Sequence, residues 1–426
     1  MAPWDAPGGH RRVWWRVGCI VRSCSSLDAL VLAMSPRSSD GRVSLGKRTK
    51  SRLAAGQARK SSRRIRRGRA RKLARRQERQ KFGSCSFARI IGCGRNALKR
   101  DGQVGIAVKV GSSGAWAYEV GVMFCGQVWS CAVCSSVIRS ERAARLKAEC
   151  ERYAAAGGMF VMLTLTMRHG VGDSLRGERV ALAKAWASLR HSAAFRLLQT
   201  RIDGFVSATE VTRGENGWHL HKHVLFFVPG RRPGTPALPD AACGKQAEML
   251  LTDSPTTCLL RVCGMIRPLS AVWCRLIEKH TGKEPIAERA FDMQIVDSGI
   301  GVYLSKIGDE MVRADAKDRS PFALLDDGEE ESLELFVEYA DAMKGAHTLE
   351  YSKGLRALLG AGLDVSDQEL VGLERGGVVV ETFPASTWRR MCDHCDVRGV
   401  SDADRRMIWW EVKVWLGLVE GVVPDG

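Results

Sequence analysis

Apolar positions along the chain follow two periods, and the change between them marks the elements. Phe160-Val161-Met162-Leu163-Thr164-Leu165-Thr166-Met167 is a short apolar run bounded by a Gly-Gly pair, and it reads as a buried strand. Over residues 179–201 the period lengthens: Leu182, Trp186, Leu189, Phe195 and Leu198 recur at helical spacing, predicting a helix with one apolar face. Residues 204–212 read as a second strand. Gly214-Glu215-Asn216-Gly217 supplies turn residues before the next apolar run, so the strands on either side form a hairpin. Residues 229–268 form a connection punctuated by Pro and Gly. A helix over 271–281, a strand over 291–296 and a helix over 299–313 follow. An acidic stretch at 326–331 precedes helical patterning over 332–343, and a last helix covers 403–418. No internal repeat is present.

Composition adds scale and location. A chain of 426 residues, 45% of them hydrophobic, is globular and suggests about two or three domains at roughly 150 residues each. The formal charge is +18, yet residues 1–83 hold 23 Lys and Arg against four Asp and Glu, so the rest of the chain is almost neutral. Net charge therefore implicates only the N-terminal segment in nucleic-acid binding. That segment is rich in Ser, Gly and Arg and reads as a disordered arm. Its densest part has Arg63, Arg64, Arg66, Arg67, Arg71 and Lys72 as candidates for phosphate contact without sequence readout. No apolar run approaches the length of a membrane span, and Arg16, Arg22 and Asp28 interrupt any signal-peptide core. These features predict a cytoplasmic protein. Its fourteen cysteines then point to metal binding or buried thiols rather than disulfides.

Three clusters carry candidate chemistry. In Trp218-His219-Leu220-His221-Lys222-His223-Val224 the histidines alternate, so on a strand all three imidazoles face one way and can hold a divalent metal. Cys131-Ala132-Val133-Cys134 is a Cys-x-x-Cys knuckle six residues after Cys125. Two such thiolates grip one tetrahedral zinc from a tight turn. Cys93 is the best fourth ligand, with Cys85 behind it, and four thiolates make the site structural. Cys392-Asp393-His394-Cys395 lacks a partner pair and is a much weaker candidate. Finally, Tyr303 and Lys306 lie three residues apart on one predicted helix face. A tyrosine phenol can attack a phosphodiester and retain the bond energy as a phosphotyrosine, while a lysine offsets charge on the phosphoryl oxygens.

The order of these blocks resembles the rolling-circle plasmid replication initiators of the HUH endonuclease superfamily, particularly the actinobacterial-type Rep proteins. The matching blocks are the knuckle from Cys125 to Cys134, Leu163-Thr164-Leu165-Thr166, the stretch from Glu210 to His223, Val302-Tyr303-Leu304-Ser305-Lys306, and Lys344-Gly345 with Tyr351-Ser352-Lys353-Gly354-Leu355-Arg356. The resemblance implies an α+β fold, a five-stranded antiparallel sheet with packed helices, preceded by the zinc module and the basic arm. It divides the chain into the arm (1–83), the cysteine module (84–150), a nicking and origin-binding domain (151–320) and a helical C-terminal region (321–426). It implies Mg²⁺ or Mn²⁺ on His221 and His223, with His219 accessory and Glu210 a further ligand. Tyr303 would be the nucleophile and Lys306 its helper. The implied partners are plasmid origin DNA, single-stranded or as a hairpin, and a host helicase, polymerase and single-strand binding protein.

Two positions depart from the family pattern. Lys222 stands where a hydrophobic residue usually lies between the paired histidines. Gly299 stands where related initiators often carry the glutamate that ends replication, leaving that step to another group such as Asp297. The same chemistry would also serve a mobilisation relaxase or a single-strand transposase, and Lys222 and Gly299 are what a catalytically degenerate, zinc-stabilised DNA-binding regulator would show.

Overall fold

A computed structural model describes residues 47–79, 87–100, 102–111, 114–230, 255–296, 319–360, 362, 365–372, 376–394 and 401–415. The chain runs from helix α1 (Lys47–Arg79) through the hairpin β1 (Gln103–Gly111) and β2 (Gly114–Val120) to helix α2 (Ala132–Ala155). Strand β3 (Met159–Thr166), helices α3 (Leu175–Arg190) and α4 (Ala193–Gln199), and the hairpin β4 (Gly204–Gly214) and β5 (Gly217–Val228) follow. Beyond these lie α5 (Pro255–Ile266), α6 (Leu269–Thr281), β6 (Phe291–Val296), α7 (Glu330–Ala342), β7 (Leu349–Tyr351), β8 (Val378–Pro384), α8 (Ala385–Asp393) and α9 (Asp402–Trp415).

Five of the strands form one antiparallel sheet, as the resemblance implies, in the order β6-β3-β5-β4-β7. β4 and β5 pair from Gly204↔Phe227 to Gly214↔Gly217, leaving Glu215 and Asn216 as the turn. Gly217 has φ of +101°, and a Cβ there would lie 2.5 Å from the Gly170 carbonyl, so both conformation and space demand glycine. The single helix expected over 179–201 is two helices. The Ser192 hydroxyl accepts from the Phe195 amide and caps a new start, which a periodic reading passes over because the apolar face continues across the break.

The two sheet faces differ. Val161, Leu163, Leu165, Trp218, Leu220, Val224 and Phe226 point to a core shared with Trp186, Leu189, Phe195 and Trp273, all buried. On the opposite face Phe160, Met162, Leu225 and Phe227 are covered by Leu146 and Cys150 of α2 and by Leu355. The histidines lie further along β5 on that second face. Burying each large side chain contributes about 1.5–3 kcal/mol, so both layers pin the strand that carries them, and slipping its register by one residue would turn the imidazoles into the core.

A second sheet, order β2-β1-β8, was not expected. Gln103 of β1 pairs with Pro384 of β8, and Trp388 and Met407 from α8 and α9 close its core. Residues 321–426 are therefore not simply helical: they give β7 to the large sheet and β8 to the small one. Helix α1 changes the picture of the arm over 47–79. Its Arg67, Ala70, Arg71 and Ala74 form a buried stripe at helical spacing, packed with Phe87, Ile90 and Cys93. Two of those four positions are arginine, so no apolar period announces the helix. Residues 1–46 and 80–86, including Cys85, lie outside the described residues. No helix among the described residues is long and apolar enough to cross a membrane.

Candidate functional site

The histidine strand sits in the middle of the sheet, with β3 on one side and β4 on the other. Across one rung lie Thr166, His221 and Glu210; across the next lie Thr164, His223 and Ala208. The rings form a row. His169 stacks on His219 with centroids 4.5 Å apart, His219 lies 3.8 Å from His221, and His221 lies 6.0 Å from His223. His223 is fixed at both nitrogens: Nδ1 is 3.1 Å from the Thr164 hydroxyl and Nε2 is 2.8 Å from Glu210 Oε2. His221 is the opposite case, because its Nδ1 is buried and has no hydrogen-bond partner among the described residues. Burial first, then the neighbouring His219, pushes its pKa down to about 3. It is a neutral imidazole, the form in which a ring nitrogen ligates a metal.

Within this set, the 2.8 Å between His223 Nε2 and Glu210 Oε2 suits two ligands of one divalent ion. Two ligand atoms bonded at right angles to one Mg²⁺, at about 2.1 Å each, lie roughly 3 Å apart, close to the Nε2–Oε2 separation of His223 and Glu210. His221, with its orphaned Nδ1, stands on the same sheet face, but no third His or carboxylate ligand atom among the described residues lies within 4.8 Å of both. Thr164 and His169 escape a sequence reading: Thr164 is one alternating strand position among several, and His169 follows the strand with no period to mark it.

Lys222 points to the opposite face and is 6% exposed. Its stem packs in the core, while its ammonium donates to Thr209 Oγ1 at 3.1 Å and lies 3.9 Å from Glu350. Burial holds its pKa below the usual lysine value, with Glu350 opposing. The ammonium thus finds its partners at the β4–β7 side of the sheet, and β4 and β5 pair without a break on either side of it.

The four thiols expected as a zinc site do come together. Cys93, Cys125, Cys131 and Cys134 are all buried, and among the described residues they are the one group of three or more potential ligands lying within 4.8 Å of one another. Sulfur–sulfur distances of 3.6, 3.6 and 3.7 Å match the edge of a tetrahedron with zinc–sulfur bonds of about 2.3 Å, roughly 3.8 Å. They far exceed a disulfide bond. Hydrogen bonds from the other three cysteines, with the Arg67 guanidinium nearby, draw the Cys93 thiol well below its usual range, whereas burial pushes Cys131 up. The cluster can hold a metal ion and is consistent with structural zinc. Trp129 within the knuckle donates from Nε1 to the Ala346 carbonyl at 2.7 Å, tying the cysteine module to the segment that leads into β7. The weaker candidate group has no such geometry: Cys392 is buried beside the Gly94 carbonyl, His394 bonds Asp402, and Cys395 lies outside the described residues.

The arginines expected on a phosphate backbone meet protein groups instead. Arg67 pairs with buried Glu119 at 2.7 Å, and Arg71 donates to the Cys93 carbonyl at 2.6 Å. Arg64 donates to the Ala117 carbonyl, and Arg66 forms a two-pronged bond to Asp326. Arg63 is half-buried, and Lys72 alone of the six is exposed. Arg64, Arg66, Arg67 and Arg71 are thus held by protein acceptors in the folded chain, since burial of a guanidinium demands a local acceptor. Tyr303 and Lys306, with Asp297 and Gly299, lie outside the described residues.

Residues 120–232, which span the knuckle, β3 and the histidine hairpin, match the family model described as Replication protein. A protein named Protein rep from Streptomyces lividans is 28% identical over 319 residues, covering 60% of this chain and 67% of that protein. A Protein rep from Lentilactobacillus hilgardii is 35% identical over 72 residues, 17% of this chain and 22% of its own length. A Neomycin resistance protein from Streptomyces cyanogenus is 29% identical over 161 residues, 32% of this chain and 37% of that one. No solved structure matches. The chain is thus similar to Rep replication proteins across both its cysteine module and its histidine sheet. The likeness supports a plasmid replication initiator, and the Streptomyces match fits the actinobacterial type.

Proposed function

We propose that this protein starts rolling-circle plasmid replication by nicking one strand of the plasmid origin, presented single-stranded or as a hairpin. The observation that carries the reading is the row of imidazoles on one sheet face, with at its centre an uncharged His221 whose buried Nδ1 has no hydrogen-bond partner among the described residues, inside the segment that matches replication proteins. His221, His223 and Glu210 would hold Mg²⁺ or Mn²⁺, with His219 beside them. When bound, that ion polarises the scissile phosphate and stabilises charge on its oxygens.

The chain's own groups do the rest. Thr164 fixes the His223 ring, as outer partners of metal-binding histidines commonly do. The Tyr303 phenol loses its proton and its oxygen bonds to phosphorus. The bond to the 3′-oxygen breaks, and that oxygen takes a proton to leave as the 3′-hydroxyl from which a polymerase extends. Lys306 offsets charge on the phosphoryl oxygens. Tyr303 is favoured because the other four of the chain's five tyrosines are committed elsewhere. Tyr118 and Tyr339 are buried, Tyr153 donates to Asp203, and Tyr351 donates to Glu149. A host helicase, polymerase and single-strand binding protein would then extend and clear the strand.

A labelled single-stranded origin incubated with Mg²⁺ or Mn²⁺ tests the reading. Wild type should give a nick and a covalent protein–DNA adduct. Tyr303→Phe should give neither, and His221→Ala should lose at least a hundredfold in rate. Cleavage with an adduct by Tyr303→Phe would remove the tyrosine from its role.

A further inference from the structure

Helix α2 and the segment after β7 enclose a cavity of about 280 Å³ lined by Arg142, Arg145, Arg152 and Arg356, with Glu149 as its one carboxylate among the described residues. It runs into a second cavity of about 610 Å³, and the two share Glu149, Arg152 and Gly360. Outside residues 1–83 the chain is almost neutral, so four guanidiniums around one trough are a local concentration that overall composition does not explain. Glu149, which lines both chambers, is buried and accepts from the Tyr351 hydroxyl at 2.8 Å. Arg142 is tied to Thr348 and Asp367, Arg152 donates to the Leu359 carbonyl, and Arg356 lies over the Tyr351 ring. Arg145 is exposed and has no partner among the described residues.

The sheet relates this trough to the histidines. Leu349, in the trough wall, pairs with Ala208, and Ala208 pairs with His223. Residues on one rung share a face, and neighbouring strands lie about 5 Å apart, so Leu349 lies about 10 Å from the metal-facing row on the same side of the sheet. A ligand that continues from the histidines across β4 arrives among the arginines.

We propose that this trough is a second nucleic-acid subsite, whose guanidiniums hold the phosphates of the single strand passing through the histidine centre. Arginine forks match phosphate oxygens in pairs, and a trough with two connected chambers suits a chain-like polyanion better than a single small anion. The strand's path from the histidines rests on the function proposed above; the subsite itself is measured by binding, without cleavage.

The test uses the full chain and a fluorescein-labelled single-stranded DNA oligonucleotide, with anisotropy followed across a potassium chloride series. Arg145→Glu should bind at least tenfold more weakly at low salt, and its log–log salt slope should be shallower by about 0.7, the loss of one phosphate contact on single-stranded DNA. Lys147→Glu is the control: Lys147 is exposed on the same helix, pairs with Glu151 and does not line the trough. It should stay within twofold of wild type. Arg356→Gln, which removes charge and keeps bulk, should weaken binding in the same direction, with an unchanged unfolding midpoint excluding misfolding. Equal losses in Arg145→Glu and Lys147→Glu, or no loss in either, overturn the subsite. Because binding is read without cleavage, failure of wild type to nick would remove the nickase reading and leave the binding result standing.

Discussion

Lys222 follows His221 and precedes His223 in sequence, yet it belongs to the other side of the sheet. A hydrophobic residue there would need no partner; lysine needs two, and Thr209 and Glu350 provide them. The alternation of strand side chains made the departure visible in sequence. Its resolution was not, because Glu350 reaches β4 through a three-residue strand too short to show a period. Glu178 is a residue of the opposite kind. It is 7% exposed, both of its oxygens lack a partner among the described residues, and burial, reinforced by Asp173, pushes its pKa up to about 8. Lys283 and Arg213 oppose that shift, and Glu338 adds to it. A carboxyl raised from 4.5 to about 8 binds its proton more tightly in the folded chain. Its contribution is fully present below pH 4.5 and lost as pH rises through about 8. Glu178→Gln should therefore flatten the fall of the urea midpoint between pH 5 and 9. A parallel fall in wild type and variant would show that Glu178 does not titrate in this window.

At the scale of elements, the cysteine module shows what local spacing reveals and what it leaves hidden. Cys125, Cys131 and Cys134 lie within ten residues and announce a knuckle. Cys93 was read as the fourth ligand from order alone, and the structure brings it in through a turn held by the Cys93 amide bonding the Ile90 carbonyl. Helix α1 was hidden for a physical reason: the face it buries carries Arg67 and Arg71, whose partners Glu119 and the Cys93 carbonyl come from elements distant in sequence. β1 alternates small and β-branched residues and β2 small and aromatic ones, which are strand signals, but the second partner of β1, β8, lies far along the chain. Metal in this cluster should act on stability before it acts on activity, since structural zinc binding is coupled to folding. Chelation, or Cys131→Ser, should lower the thermal midpoint by at least several degrees, with loss of about one equivalent of zinc by elemental analysis. A midpoint unchanged by complete metal removal would make the cluster four buried thiols and no more.

For the whole molecule, β3 and the β4–β5 hairpin were legible because they lie close in sequence and each carries its own period, whereas β7 joins the same sheet through three residues that show none. The small sheet was not, because Gln103↔Pro384 is a pairing that no local pattern encodes. A chain ended after residue 372 should therefore keep the histidine sheet but lose β8, α8 and α9. Val104, Ile106 and Trp388, now buried together, would no longer form one core, and β1 would present an open edge. Faster proteolysis confined to residues before 123, with protection kept over 159–228, is the expected pattern; uniform protection would show that β8 is dispensable.

That pairing also bears on how the protein is made. Strand β1 leaves the ribosome long before β8, the second strand it pairs with. The hairpin of β4 and β5 needs no such wait. The histidine sheet can therefore assemble on the nascent chain while the small sheet is still incomplete, and the last elements to arrive are those that lock the cysteine module and the basic helix. An mRNA broken near its 3′ end would yield a chain with a formed histidine row and an open edge strand, the sort of surface that proteases and chaperones recognise. The distant strand thus makes closure of the small sheet conditional on translation through β8.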